Sequence, residues 1–134
     1  MIVIDKYDMG IYPLRLWVAT GWAESIPGRF VCSDGSEIED AGDRYAATTY
    51  DVKERRTGRY GVLIVFRELD DDLGGSILVS YIAHESLHAT SYVSQALGIK
   101  ADWLNDEPLA YMIGWISGCC WKTLQKVIYK NEKK

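Results

Sequence analysis

A chain of 134 residues with 48% apolar content is sized for one hydrophobic core, and a single domain spanning 1–134 is expected. The net charge is −4, and no basic cluster exceeds the short run Lys53-Glu54-Arg55-Arg56, which argues against nucleic acid as a main partner. No basic region followed by a long apolar stretch opens the chain, so neither a secretion signal nor a membrane span is expected.

Residues Ile11 to Ala19 alternate after Pro13, placing Leu14, Leu16 and Val18 on one face of a strand. The stretch Gly21 to Asp43 gives the weakest pattern. Ser33-Asp34-Gly35-Ser36 reads as a turn, and its flanks fit either strand or short helix. Ala46 to Lys53 and Arg59 to Glu68 form a hairpin candidate around Arg55-Arg56-Thr57-Gly58. Tyr60 to Phe66, reading YGVLIVF, is dense enough to be buried on both faces or to lie against helices. The same strand is a candidate edge for an extended peptide to join, with an ordinary interior strand as the alternative. Asp70-Asp71-Asp72 reads as a solvated acidic loop leading into the next element.

Gly75 to Leu97 is an uninterrupted helical pattern, with Ser76 a plausible N-cap and Gly98 a plausible terminator. Ile77, Leu78, Tyr81, Ile82, Leu87, Val93 and Leu97 suggest that it is largely buried. Within it lies His84-Glu85-Ser86-Leu87-His88, an instance of H-E-x-x-H that uses both histidines of the chain. On a helix, positions i and i+4 share one face, so both imidazoles can reach one zinc ion (Zn2+). Glu85, between them, is placed to accept a proton from water activated there. The bland reading is a pair of surface histidines on an amphipathic helix.

A catalytic zinc needs a third protein ligand and an open position. No third histidine exists, so a carboxylate or a cysteine must serve. A second helical run, to about Lys130, opens at Asn105-Asp106-Glu107-Pro108, with Asn105 or Asp106 as cap and Pro108 tolerated in the first turn. Glu107 is the leading candidate, with Asp106 and Asp102 as alternatives. Glu107, Ala110, Tyr111, Gly114, Gly118 and Trp121 recur at helical spacing, and the two glycines suggest close approach to the H-E-x-x-H helix. Cys119 and Cys120 are adjacent on this helix and cannot easily serve one metal. With Cys32, they read as reduced packing thiols, consistent with a cytoplasmic setting. The Lys130 to Lys134 tail reads as a solvated end.

From Tyr60 to Trp121 the chain resembles the gluzincins, zincin metallopeptidases with H-E-x-x-H on one helix and a glutamate on a following helix. The resemblance rests on three segments in order: YGVLIVF, AHESLH (Ala83–His88) and DEPLAYMIGW (Asp106–Trp115). Small metallopeptidase-like proteins of bacteria and their phages show a similar succession. It implies a small zincin-like α+β domain, a mainly antiparallel sheet packed on the H-E-x-x-H helix and a C-terminal helix. It implies zinc held by His84, His88 and Glu107, Glu85 as the catalytic base, and a peptide or protein substrate. Larger relatives stabilise the oxyanion with a distant histidine, which this chain lacks. Tyr81, Tyr92 and Tyr111 are candidates for that role, and none is assigned. A zincin-like binding module without catalysis, and a metal-dependent hydrolase of a non-peptide bond, are the competing readings.

Overall fold

The computed structural model describes residues 1–42, 44–67, 69 and 74–132. The acidic run Asp70-Asp71-Asp72, the ends of predicted segments at Asp43 and Glu68, and Lys133 and Lys134 of the tail lie outside the described residues.

The fold is α+β. A five-stranded, mostly antiparallel sheet is built from β1 (Ile4–Asp8), β2 (Arg15–Ala19), β3 (Phe30–Cys32), β4 (Ala47–Glu54) and β5 (Tyr60–Phe66), in the spatial order β1-β2-β5-β4-β3. A four-residue helix, α1 (Ile26–Arg29), precedes β3, and two long helices follow the sheet, α2 (Gly75–Leu97) and α3 (Glu107–Glu132). Among the described residues, no helix is long and apolar enough to cross a membrane.

The central pair, β2 and β5, runs parallel, and the other pairings are antiparallel. Parallel strands require a crossover, and the chain between β2 and β5 provides it by passing over one face of the sheet. Gly61 sits opposite Arg15 in the β2–β5 pair. A Cβ there would run into the Arg15 carbonyl oxygen, so only glycine fits. The β4–β5 hairpin closes as the sequence predicts, through Gly58 at φ 71°.

Both faces of the sheet are covered. Leu14, Leu16 and Val18 do share a face. They meet Val62, Ile64 and Phe66 of β5, Ile82 and Val93 of α2, and Ile116 and Leu124 of α3. The opposite face, with Trp17, Ala19, Leu63 and Val65, is buried too, packed with Phe30 of β3 and with Ile26 and Ile38 of the crossover. Trp17 and Phe30 pack edge to face at 5.0 Å. Each fully buried side chain of this size contributes roughly 1.5–3 kcal/mol. The segment that reads most weakly in the sequence thus supplies the cover for a whole second core.

Four points differ from the sequence reading. β1 was not anticipated, because three of its five residues, Asp5, Lys6 and Asp8, are charged and break any apolar alternation, as suits an edge strand. β5 is interior, flanked by β2 and β4, so it offers no free edge. Helix α2 is buried on one face only: Leu78, Ile82, Ala89 and Val93 are covered, while Val79 and Leu87 are 64% and 48% exposed. Its N-cap is Gly74, two residues before the expected Ser76, and no side chain caps it. Its C-terminus behaves as predicted. Gly98 adopts φ 71°, and the Gly98 and Ile99 N–H groups return to Gln95 and Ser94 carbonyls, a Schellman closure.

Candidate metal and catalytic site

Helix α2 sends successive residues of the H-E-x-x-H motif to three different environments. His84 and His88 point to solvent, Glu85 turns down toward β4, and Ser86 turns toward α3. The imidazole Nε2 atoms lie 3.1 Å apart, with ring planes inclined at 75°. In this arrangement one imidazole donates to the other. The same separation suits a shared metal: two ligands at tetrahedral zinc, each about 2.0–2.1 Å from it, stand roughly 3.3–3.4 Å apart.

Glu85 is 6% exposed, unusual for an unpaired carboxylate in a helix. Its burial is made tolerable by Thr49 of β4, whose hydroxyl lies 2.9 Å from Oε1 and 3.3 Å from the Glu85 carbonyl oxygen. Oε2 is left on the side of His84, 3.8 Å from its Nε2. The two oxygens therefore have separate duties: one anchors the side chain, the other stands on the side of His84.

Behind Glu85, Ser86 is fully buried and bonded to Ser117 Oγ of α3 at 3.0 Å. Cys120 is buried beside it, and burial pushes its thiol up to about 12. It is a neutral packing group here, as the sequence reading of the cysteines expects. All three cysteines are free.

The imidazoles overlook an open cleft between α2 and β4. Ala47, Thr49 and Tyr45 form one side and His84, Glu85, His88 and Tyr92 the other, around a volume of about 250 Å³. It continues past Tyr45 and Glu85 into a second cleft of about 470 Å³ that adds Arg44, Ser80 and Tyr81. The β4 backbone along this cleft is open. Arg67 N–H donates to Ala46 O and Glu54 N–H to Arg59 O, so even-numbered residues of β4 direct their backbone groups to β5. Odd-numbered residues face the other way. There β3 pairs only with Val52–Glu54, and Ser33 N–H reaches Asp51 O. Ala47 and Thr49 have no strand partner on that side among the described residues.

The proposed third ligand stands differently. Glu107 is the first residue of α3 and is exposed. Asp106 is the capping position, its carbonyl accepting from Ala110 N–H at 2.8 Å. Asp102 is engaged locally, its carboxylate accepting from Leu104 N–H at 3.0 Å. Among the described residues, no third His, Cys, Asp or Glu joins the imidazoles in a group placed to hold a metal. The two-histidine half of the site fits zinc, and the third donor is not assembled.

The glycine argument for α3 fails. α2 and α3 do pack together, but Gly114 and Gly118 are exposed, and a Cβ on either would meet nothing within 4 Å. The buried face of α3 is Leu109, Ile116, Cys119, Cys120, Thr123 and Leu124, with Thr123 turned to Asp5 and Tyr7 of β1. Of the three tyrosines considered for the oxyanion, Tyr81 and Tyr92 line the clefts, whereas Tyr111 is 76% exposed on α3 and lines neither. Sequence reasoning missed Thr49 and Tyr45. The hairpin alternation places Ala47 and Thr49 on the helix-facing side, but which residue comes level with Glu85 depends on how α2 docks.

Comparison of the chain with protein-family models, with curated proteins and with solved structures finds no match.

Proposed function

We propose that the chain is a zinc-dependent hydrolase that cleaves peptide bonds, with His84 and His88 as metal ligands, Glu107 as the third, and Glu85 as the general base. One observation carries the reading: a buried carboxylate held by Thr49 with its second oxygen 3.8 Å from Nε2 of His84, whose imidazole converges with that of His88 at 3.1 Å. A helix pair of surface histidines has no use for that carboxylate, whose burial costs free energy.

Zinc, when bound, supplies Lewis acidity, making water a better nucleophile near neutral pH and polarising a carbonyl. The chain contributes the rest. Oε2 of Glu85 accepts the proton from the attacking water and returns it to the leaving amine. Thr49 keeps Oε1 occupied, so the carboxylate cannot rotate away between the two transfers. The open backbone of Ala47 and Thr49 offers hydrogen bonds to an extended peptide beside the histidines, which supports a peptide over a compact small molecule. This edge belongs to β4 and not to β5, the strand that the sequence pointed to.

A second reading, a zincin-like module that holds metal and binds without cutting, draws on the exposed position of Glu107. Glu85→Gln separates the two. It retains zinc and loses cleavage of a peptide library by orders of magnitude if the chain is a hydrolase. A wild-type chain that binds zinc and cleaves no peptide supports the binding module.

A further inference from the structure

The solvent side of α3 carries large apolar residues that the fold leaves uncovered. Leu109, Ile116, Cys120 and Leu124 face the core, while Tyr111 and Trp115 stand on the other side and are exposed. Glu107, Tyr111, Gly114, Trp115, Gly118 and Lys122 recur there at helical spacing, all of them exposed. Glycine weakens a helix interior, yet no contact within the chain requires Gly114 or Gly118, since a Cβ on either meets nothing within 4 Å. The charges at the two ends of the stripe also lack partners. Neither Glu107 nor Lys122 forms an ion pair among the described residues. They stand roughly 22 Å apart along one helix, so they cannot meet each other within the chain.

The stripe is complementary to itself. Let a second copy lie antiparallel on it, with the two-fold axis midway between Gly114 and Trp115. Glu107 then comes level with Lys122 of the other copy, Tyr111 with Gly118, and Gly114 with Trp115, and the axis repeats each match in reverse. One register thus sets each large ring level with a glycine, which lets the helices approach closely, and each charge level with its opposite. We propose that the exposed stripe of α3 is an interface between two copies of this chain, forming an antiparallel two-fold dimer. Aromatic side chains are the residue type most enriched at such interfaces. The pairing goes beyond the hydrolase reading and does not depend on it. It is also compatible with Glu107 as a zinc ligand, because a carboxylate that gives one oxygen to a metal keeps the other for a hydrogen-bonding partner.

Sedimentation equilibrium of the full-length chain over a concentration series tests this. The average mass should rise from that of one chain toward that of two. Glu107→Lys and Lys122→Glu each set like charges level with each other, and each should weaken self-association by at least about 10-fold. An equal mixture of the two variants should recover wild-type association, because a mixed dimer meets opposite charges at both ends. Gly118→Leu, at an exposed position, should leave the dilute monomer folded by circular dichroism and abolish the dimer by filling the space opposite Tyr111. A wild-type mass of one chain up to about 1 mM overturns the proposal. So does a dimer that both charge reversals and Gly118→Leu leave intact, since another face would then hold it. A mixture that associates no better than either variant alone overturns the proposed pairing as well.

Discussion

Thr49 and Glu85, 36 residues apart in sequence, are joined by a 2.9 Å hydrogen bond between the β4 hydroxyl and the α2 carboxylate. The bond fixes which carboxylate oxygen is left on the side of His84. Thr49→Val keeps the shape of the side chain and removes the donor. The carboxylate then loses a buried partner, a change worth on the order of 1–3 kcal/mol in stability. Zinc content should be unchanged, while kcat for peptide cleavage should fall on the order of 10-fold as the base loses its orientation. A variant with wild-type kcat would show that Glu85 needs no such anchor.

The metal assignment makes a graded prediction. Wild-type protein should bind about one zinc per chain, and His84→Ala or His88→Ala should abolish tight binding. Glu107→Ala should weaken zinc affinity strongly, whereas Asp106→Ala should chiefly cost helix stability, typically ~1 kcal/mol for a lost cap. Isothermal titration with zinc on the four variants reads this directly. Equal affinity in Glu107→Ala and wild type would remove Glu107 from the site and leave the bis-histidine pair with another third donor.

Glycines test the packing independently. Gly114 and Gly118 lie in the α3 interior with open space at their Cβ positions. Each glycine-to-alanine change there should stabilise the chain by up to ~1 kcal/mol through helix propensity. Gly61→Ala should do the reverse, at a cost of several kcal/mol, because the parallel β2–β5 pair must separate to admit a methyl group. Urea midpoints for the three variants suffice. A destabilised Gly118→Ala would restore the close-contact role that the sequence suggested for this face.

What could be read from sequence and what could not divide along physical lines. Tyr60 to Phe66 and the Gly75 to Leu97 helix were legible because their apolar residues recur locally, and so was the i, i+4 pairing of His84 and His88. The facing of α3 was not. Tyr111, Trp115 and Trp121 make its solvent side as rich in large apolar residues as the side of Ile116 and Leu124. A stripe of small and aromatic residues therefore imitated the buried face, while the true one includes Cys119, Cys120 and Thr123. Strand order is likewise non-local. YGVLIVF announces burial, but only the parallel pairing with β2 makes it central, and the unpaired backbone falls instead at Ala47 to Thr49 of β4, beyond the reach of the short β3. Thr49 was invisible for the same reason, since a threonine on an alternating strand carries no mark of the helix residue that it will meet.

The last prediction concerns acid stability and Glu54, at the end of β4 where the crossover is tied to the sheet. Burial alone pushes this carboxyl's pKa up, but hydrogen bonds from Arg29 and Thr57 and the nearby guanidinium charge bring it below the ordinary glutamate range. Arg29 Nε donates to Oε2 and Thr57 Oγ1 to Oε1, each at 2.8 Å. A carboxylate whose pKa is lowered in the folded state binds protons more weakly there than in the unfolded chain. Its contribution is therefore fully present above about pH 4.3, the ordinary glutamate value, and is lost as pH falls through the lowered folded value. Glu54→Gln should lower stability near neutral pH on the order of 1–3 kcal/mol, since Arg29 loses its charged partner. The same variant should approach wild type as pH falls through the lowered folded value of Glu54, where both come to carry a neutral side chain. Urea unfolding at pH about 7 and about 3 measures the gap. A gap that stays constant between the two would mean that the Arg29–Glu54 pair acts through packing and not through charge.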